Sequence, residues 1–276
     1  MMPPLPRCML FVPALAPERF AKALASGADT ICIDLEDAIA PSRKAEARET
    51  LIAYLSNLDR PDPRIWLRIN AAETKEGQDD LAALEELDRP LSLLLPKVEA
   101  AGGLHAVGAR LGGGTRLIAI VETALGLSQV ETLAHTGEPL AGLLFGPGDL
   151  SASLGCAPAW DALLYARSRT VLAARTAGIG VIDGPYFDLA DAAGAGSEAA
   201  AAAALGFDGK VAVHPLQVAP IMAGFMPSGD EISRARRILD IFADERVGVA
   251  MIDGRLVDGP LIENARRVIR QAGEAT

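Results

Sequence analysis

The chain has 276 residues, half of them hydrophobic, with aromatics at only 4% and a formal net charge of −10. That balance argues against a nucleic-acid partner, which needs a basic face, and with no membrane-length apolar run no membrane partner is expected. Three cysteines without CxxC spacing and a short Pro-rich start with no signal pattern predict a cytoplasmic protein, with Cys8 and Cys32 as reduced core thiols.

In chain order, short apolar runs predict strands near residues 10–12, 30–33, 65–67, 93–95, 117–121, 140–145, 180–182 and 210–213. Between and after them, amphipathic or Ala-rich stretches predict helices at 18–26, 43–58, 78–87, 101–111, 126–135, 159–176, 197–205 and 216–223. Eight right-handed alternations close most simply into a (β/α)₈ barrel, with an open doubly wound sheet as the alternative. The barrel domain is expected over 1–225. A C-terminal extension over 226–276 carries a helix at 230–244, a short stretch, and a last helix from about 259 to 272.

The residues after each strand gather chemistry. They are Pro13; then Asp34, Glu36 and Asp37; Arg68 and Asn70; Pro96 and Lys97; Glu122; Gly148 and Asp149; Asp183, Gly184 and Pro185; and His214 and Pro215. In a (β/α)₈ barrel these positions share one mouth, where active sites lie. Loops are polar in any protein, but a ring of acids with an Arg and a Lys is more than loop polarity requires. Glu122 follows one apolar run, and Asp149 follows the next inside Gly146-Pro147-Gly148-Asp149. Two carboxylates at the ends of neighbouring strands are hard-cation ligands. Mg²⁺ suits them, with Mn²⁺ as a substitute, because it takes one or two carboxylates and fills its other positions with water and substrate oxygens.

Other features carry less. Gly112-Gly113-Gly114 precedes a strand, whereas a phosphate-binding glycine loop follows one, so it is a turn. There is no GxSxG elbow. His105 and His135 fall on helices as surface residues, while His214 is equally a catalytic group or a structural His-Pro corner.

Residues 7–48, RCMLFVPALAPERFAKALASGADTICIDLEDAIAPSRKAEAR, closely resemble the opening of the citrate lyase β-subunit-like family within the HpcH/HpaI aldolase superfamily. The likeness continues through LRIN at 67–70, LLPKVE at 94–99, AIVET at 119–123, FGPGDLSASLG at 145–155, GKVAVHPLQV at 209–218 and DGRLVDGPLIENA at 253–265. The resemblance implies a Mg²⁺-dependent carbon–carbon lyase that cleaves malyl-CoA, citramalyl-CoA or a citryl-thioester to acetyl-thioester plus a 2-oxo acid. It also implies a homotrimer or hexamer, a coenzyme A or carrier-protein thioester, and a C-terminal lid whose acid, aligned with Asp258, moves the proton at the acetyl methyl in a neighbouring subunit's site.

The chemistry fits the residues. A retro-aldol cleavage needs the alcohol deprotonated and the enolate stabilised, which a metal held by Glu122 and Asp149 would assist. Arg68, fork-shaped and always charged, would bind oxo-acid or enolate oxygens, or else pair with Asp34, Glu36 or Asp37, or both. The N–H groups of Gly148 and Asp149 would clamp the substrate carboxylate, with Lys97 a further binding group. Asp258 is alternatively a plain N-cap of the last helix. One departure stands out: many relatives carry Pro-Gly-Asn-Arg-Pro after the first strand, where this chain has Pro13-Ala14-Leu15-Ala16-Pro17. That change weakens the coenzyme A expectation. It keeps open a pyruvate-type aldolase acting on free 4-hydroxy-2-oxo acids, beside a non-catalytic binding subunit.

Overall fold

The structure, a computed structural model, describes residues 5–137, 139–243 and 249–273. Eight strands run as β1 (Cys8–Pro13), β2 (Thr30–Asp34), β3 (Ile65–Arg68), β4 (Ser92–Leu95), β5 (Arg116–Val121), β6 (Leu140–Phe145), β7 (Gly180–Asp183) and β8 (Gly209–Ala212). Each pairs in parallel with the next, and β1 pairs with β8 from Cys8 opposite Lys210 to Leu10 opposite Ala212. That last ladder closes the sheet, so the fold is the expected (β/α)₈ barrel and the open sheet is excluded.

Strand residues alternate between the barrel interior and the helix layer. Met9, Cys32, Trp66, Ile120, Leu144 and Ile182 form part of the buried interior cluster. Two residues further along the same strands stand Phe11, Asp34, Arg68, Glu122, Gly146 and Gly184. Period-two geometry thus carries a set of apolar side chains directly into the charged mouth above it.

The helices between the strands follow from local signals. Thr74 caps the helix Lys75–Glu85 by accepting from Gly77 N–H, and Asp191 caps Ala192–Leu205 through Gly194 N–H. Gly178, at φ 69°, closes the long helix Trp160–Ala177 in the left-handed conformation. Three expectations need correction. The helix expected at 126–135 is two short ones, Ala124–Ser128 and Val130–Ala134, because the chain leaves helical geometry at Gln129. The one expected at 18–26 is a 3₁₀ turn, Pro17–Arg19, leading into Phe20–Leu24. The Gly-Pro-Gly-Asp segment, expected as a glycine-flanked turn, is the first turn of a helix, Pro147–Leu154, which Pro147 begins because its missing N–H is one that a helix start leaves unbonded anyway.

The chain forms two compact units, one ending at Ala223 and the other beginning at Gly224. The second carries the helix Gly229–Ile241, a hairpin of β9 (Ala250–Ile252) and β10 (Arg255–Val257), and the helix Gly259–Gln271. The end expected for its first helix, residue 244, lies outside the described residues. The hairpin replaces what the sequence reading left as a short stretch. Asp253 and Gly254 supply its turn with φ of 51° and 72°, the two left-handed residues that a two-residue hairpin favours. Ala235, Ile238, Ile252, Val257, Ala265 and Ile269 form this unit's own core. Among the described residues no helix is long and apolar enough to cross a membrane.

Candidate active site

Asp34 ends β2 and is almost fully buried. Its Oδ1 accepts from Glu36 N–H at 2.9 Å and its Oδ2 from Ala38 N–H at 3.1 Å, so the loop after β2 wraps around the carboxylate. The same two oxygens take Arg68 as a bidentate partner: Nε to Oδ1 at 2.7 Å and Nη2 to Oδ2 at 2.6 Å. Arg68 Nη1 donates to Asp37 at 3.0 Å and lies 3.0 Å from Glu36 Oε2, while the guanidinium packs 5.1 Å from the centre of the Phe11 ring. Burial alone would pull the Arg68 pKa down; the fork to Asp34 and the charges of Asp34, Glu36 and Asp37 push it up instead. Lys44 fixes this loop from outside, its Nζ donating to the Leu35 and Glu36 carbonyls at 2.7 and 2.6 Å. Burial lowers its pKa.

Lys97 joins this half of the mouth to the other. Its Nζ lies 2.7 Å from Glu36 Oε1 and 3.1 Å from Asp149 Oδ2, and its backbone N–H donates to Glu122 Oε1 at 2.8 Å. To do both, Lys97 adopts φ 54°, a left-handed conformation that costs a non-glycine residue about 1 kcal/mol or more. Burial lowers its pKa, but the bonds and charges of Glu36, Asp149 and Glu122 together outweigh that and raise it. Glu122 is 5% exposed, and a β-carbon on Gly146 would come within 2.6 Å of its Cβ and 2.8 Å of its Oε2, so only glycine fits beside it just after β6. Burial, reinforced by the charge of Glu36, pushes the Glu122 carboxyl up to about 8. Glu36 is also raised by burial, against the pull of Arg68 and Lys97.

The structure therefore unites Asp34, Glu36, Asp37, Arg68, Lys97, Glu122 and Asp149 in one network at the carboxyl ends of the strands. Gly148 and Asp149 lie in the first turn of the helix Pro147–Leu154, where backbone N–H groups lack intrahelical partners and the helix dipole favours an anion.

Three residues expected at the mouth do other work. Asn70 donates its backbone and side-chain N–H groups to buried Asp80 at 2.9 and 2.7 Å, which anchors the following helix. Asp183 faces the helix layer, because its neighbour Ile182 faces the interior. There it meets Arg167 at 3.0 Å and Lys210 at 2.6 Å. His214 accepts from Leu216 N–H through Nδ1, which makes it the structural corner of the two readings. His105 and His135 bond to main-chain carbonyls on the surface, as expected. Cys8 and Cys32 are buried thiols, with Cys8 pushed up to about 12 by burial. Lys44 was missed; as one more lysine in a helical run, Arg43-Lys44-Ala45-Glu46, it gives no sequence signal of its own.

Asp258 stands at the N-cap of the helix Gly259–Gln271, but its side chain makes no capping hydrogen bond. Among the described residues its carboxylate engages no partner.

Matched against known proteins, residues 7–215 fit the family described as HpcH/HpaI aldolase/citrate lyase. This chain belongs to that family. A citrate lyase subunit beta-like protein from Mycobacterium tuberculosis is 37% identical, covering 97% of this chain and 96% of the relative. An L-malyl-CoA/beta-methylmalyl-CoA lyase from Cereibacter sphaeroides is 35% identical, covering 96% of this chain and 94% of the relative. Among solved structures, protein CitE from M. tuberculosis, in complex with magnesium, acetoacetate and coenzyme A, superposes with a TM-score of 0.86 at 35% identity. It covers 97% of this chain and 98% of its own. The family's barrel is thus the fold described above.

The donor set at the mouth suits a hard divalent cation. Among the described residues no group of three or more His, Cys, Asp or Glu side chains is arranged to hold a metal. The mouth instead offers Glu122 and Asp149, close enough for the charge of Asp149 to be felt at Glu122. Two carboxylates plus water and substrate oxygens are what Mg²⁺ takes. Glu36 Oε2, buried without an aligned hydrogen bond, and Glu122, raised to about 8, both have charge that a cation would relieve.

Proposed function

We propose that the chain is a Mg²⁺-dependent carbon–carbon lyase. It cleaves or forms a 3-hydroxyacyl thioester of the malyl, citramalyl or citryl kind, with acetyl-thioester and a 2-oxo acid as products. The observation that carries the reading is the continuous run of charge from Asp34 through Arg68, Glu36 and Lys97 to Glu122 and Asp149. Glu122 and Asp149 hold the metal. When bound, Mg²⁺ supplies Lewis acidity to the substrate's hydroxyl and carboxylate oxygens. Arg68 uses three of its five donors on Asp34 and Asp37, which leaves one on each Nη for an oxo-acid or enolate oxygen. Asp34 keeps that fork aimed. The first-turn N–H groups of Gly148 and Asp149 clamp the substrate carboxylate, and Lys97 keeps Glu122 oriented through its backbone N–H.

Asp258 moves the proton at the acetyl methyl, delivered by the C-terminal unit of a neighbouring copy in a homotrimer or hexamer. Its lack of a capping bond supports this, since capping is the alternative use of an Asp at that position. Asp258→Asn tests it, because Asn caps as well as Asp but cannot carry the proton. The expected loss is about a hundredfold to ten-thousandfold in rate. Co-assembly with Arg68→Ala subunits should restore part of the activity if the residue works in trans. Full turnover in Asp258→Asn removes it from the mechanism.

A second reading, a pyruvate-type aldolase on free 4-hydroxy-2-oxo acids, has one observation behind it. In the loop after β1, Ala14 and Ala16 are buried, and no polar side chain stands there to meet a carrier's phosphates. A Mg²⁺-dependent cleavage screen over malyl-CoA, citramalyl-CoA, citryl-CoA and a 4-hydroxy-2-oxo acid decides between them. Turnover of a thioester upholds the lyase, turnover of the free acid alone upholds the aldolase, and none at all leaves the non-catalytic subunit.

A further inference from the structure

The loop after β7, residues 184–191, is held from beneath just before Phe187 and tied at its far end through Asp191. Fully buried Lys210 donates its Nζ to the Gly184 carbonyl at 2.7 Å, and fully buried Gln217 donates its Nε2 to the Tyr186 carbonyl at 2.8 Å. The Tyr186 hydroxyl donates to Asp191 at 2.9 Å, and Asp191 in turn caps the next helix. Yet on this anchored backbone the Phe187 ring is 54% exposed. Its edge closes against Gly148: a β-carbon there would stand 3.3 Å from Phe187 Cζ. The ring therefore stands against the first turn of the helix Pro147–Leu154, at Gly148. A large apolar side chain on an anchored backbone, next to the turn proposed to clamp the substrate carboxylate, is placed to wall that side of the site.

The charges around it bear on what the wall can face. The mouth has five carboxylates, Asp34, Glu36, Asp37, Glu122 and Asp149, against Lys44, Arg68 and Lys97. With every group ionised, Glu122 included, that leaves two excess negative charges, which one divalent cation would neutralise. Lys44 is spent on main-chain carbonyls and Lys97 on Glu36 and Asp149, and the remaining Arg68 donors serve the oxo-acid group itself. Among the described residues of the mouth, no further cation stands ready for a second carboxylate, and the surface beside Gly148 is a phenyl ring.

Resting on the lyase reading, we propose that Phe187 is a specificity-determining residue. Its ring meets the substituent on the 2-oxo carbon, so the site takes oxo acids whose substituent is small and uncharged, as in glyoxylate or pyruvate, over those that carry a second carboxylate, as in oxaloacetate. A carboxylate pressed against the ring would lose water without gaining a partner.

The test uses the full-length protein with Mg²⁺. Binding of glyoxylate, pyruvate and oxaloacetate is measured by calorimetry, and condensation of each with acetyl-CoA is measured in parallel. The wild type should prefer pyruvate or glyoxylate over oxaloacetate by about tenfold to a hundredfold in both readouts. Phe187→Arg, which puts a cation where the ring stands, should raise oxaloacetate relative to pyruvate by about tenfold or more, and Phe187→Ala should narrow the gap. Because the ring is half exposed, neither variant threatens the fold. Equal binding of oxaloacetate and pyruvate by the wild type, or an unchanged ratio in both variants, overturns the wall. Selective binding of pyruvate without any condensation keeps the wall and overturns the lyase reading. No binding of any of the three acids overturns both.

Discussion

The barrel carries two clusters of buried charge, one at the mouth and one in the layer between sheet and helices. In the outer cluster Lys210 and Asp183 are fully buried and 2.6 Å apart, with Arg167 and Glu198 completing two acids and two bases. Arg167 is also sandwiched between rings, 4.8 Å from Phe145 and 4.5 Å from Trp160. The mouth differs in charge balance and in strain. It has an excess of carboxylates, a carboxyl raised to about 8 in Glu122, and a lysine held at positive φ. Charges that balance and fill their space hold a structure together. Charges left over, at a cost in strain and desolvation, are kept for something that arrives. A cavity of about 240 Å³ lies at the amino ends of β3 to β5, among Leu55, Ile65, Leu91 and Arg116, away from the chemistry.

The contrast breaks most sharply at Lys210. Lys210→Met removes one of the two cations, leaving Asp183 and Glu198 in excess over Arg167 inside the fold. Unfolding by denaturant should show a loss of about 3–5 kcal/mol, the usual effect of stranding a buried charge. Mg²⁺ affinity per folded molecule should fall far less than in the mouth variants. Should Lys210→Met keep wild-type stability, the outer cluster is not the structural one.

At the mouth the same logic inverts. Glu122→Gln or Asp149→Asn removes an excess negative charge, so the fold should survive while Mg²⁺ binding collapses. Activity should drop on the order of a hundredfold or more, because the metal supplies several kcal/mol of charge stabilisation. Mg²⁺ titration calorimetry on both variants checks this, and wild-type affinity in both would remove these residues from the metal site.

Arg68 sharpens the comparison further, since it has both a structural partner in Asp34 and donors to spare. Lysine retains the charge but cannot make the bidentate fork. We expect Arg68→Lys to lose about 2 kcal/mol of transition-state stabilisation, read from kcat/KM. Near-normal turnover would make Arg68 a salt-bridge residue only.

The smallest effect is on pH. The folded Glu122 value of about 8 lies above its ordinary 4.5, so between these values the native state retains a proton that the unfolded chain has released. With Mg²⁺ chelated, stability should therefore fall as pH rises through that window, by about 1 kcal/mol per pH unit near neutrality. Glu122→Gln should flatten the slope, and saturating Mg²⁺ should oppose it. Thermal unfolding from pH 5 to 8, with and without chelator, reads all three, and an identical slope in Glu122→Gln would assign the titration elsewhere.

The sequence by itself determined the barrel and much of its site. Eight apolar runs with intervening helices specify strand number and order, because parallel strands buried on both faces must be apolar throughout. The carboxyl-end rule then places Asp34, Glu36, Asp37, Arg68, Lys97, Glu122 and Asp149 at a single mouth. It could not say which way each polar residue points. A one-residue offset reverses the face, which is why Asp183 joined the outer cluster while Arg68 and Glu122 turned inward. Nor could it choose between a turn and a helix start at Pro147, or between cap and free carboxylate at Asp258, since each pair shares one local pattern. Tertiary structure decided those points, together with the long-range bridge from Glu36 to Lys97 across 61 residues of sequence and the ring of Phe187 against Gly148. Register and approach distance are properties of how strands pack side by side, and no single strand encodes them.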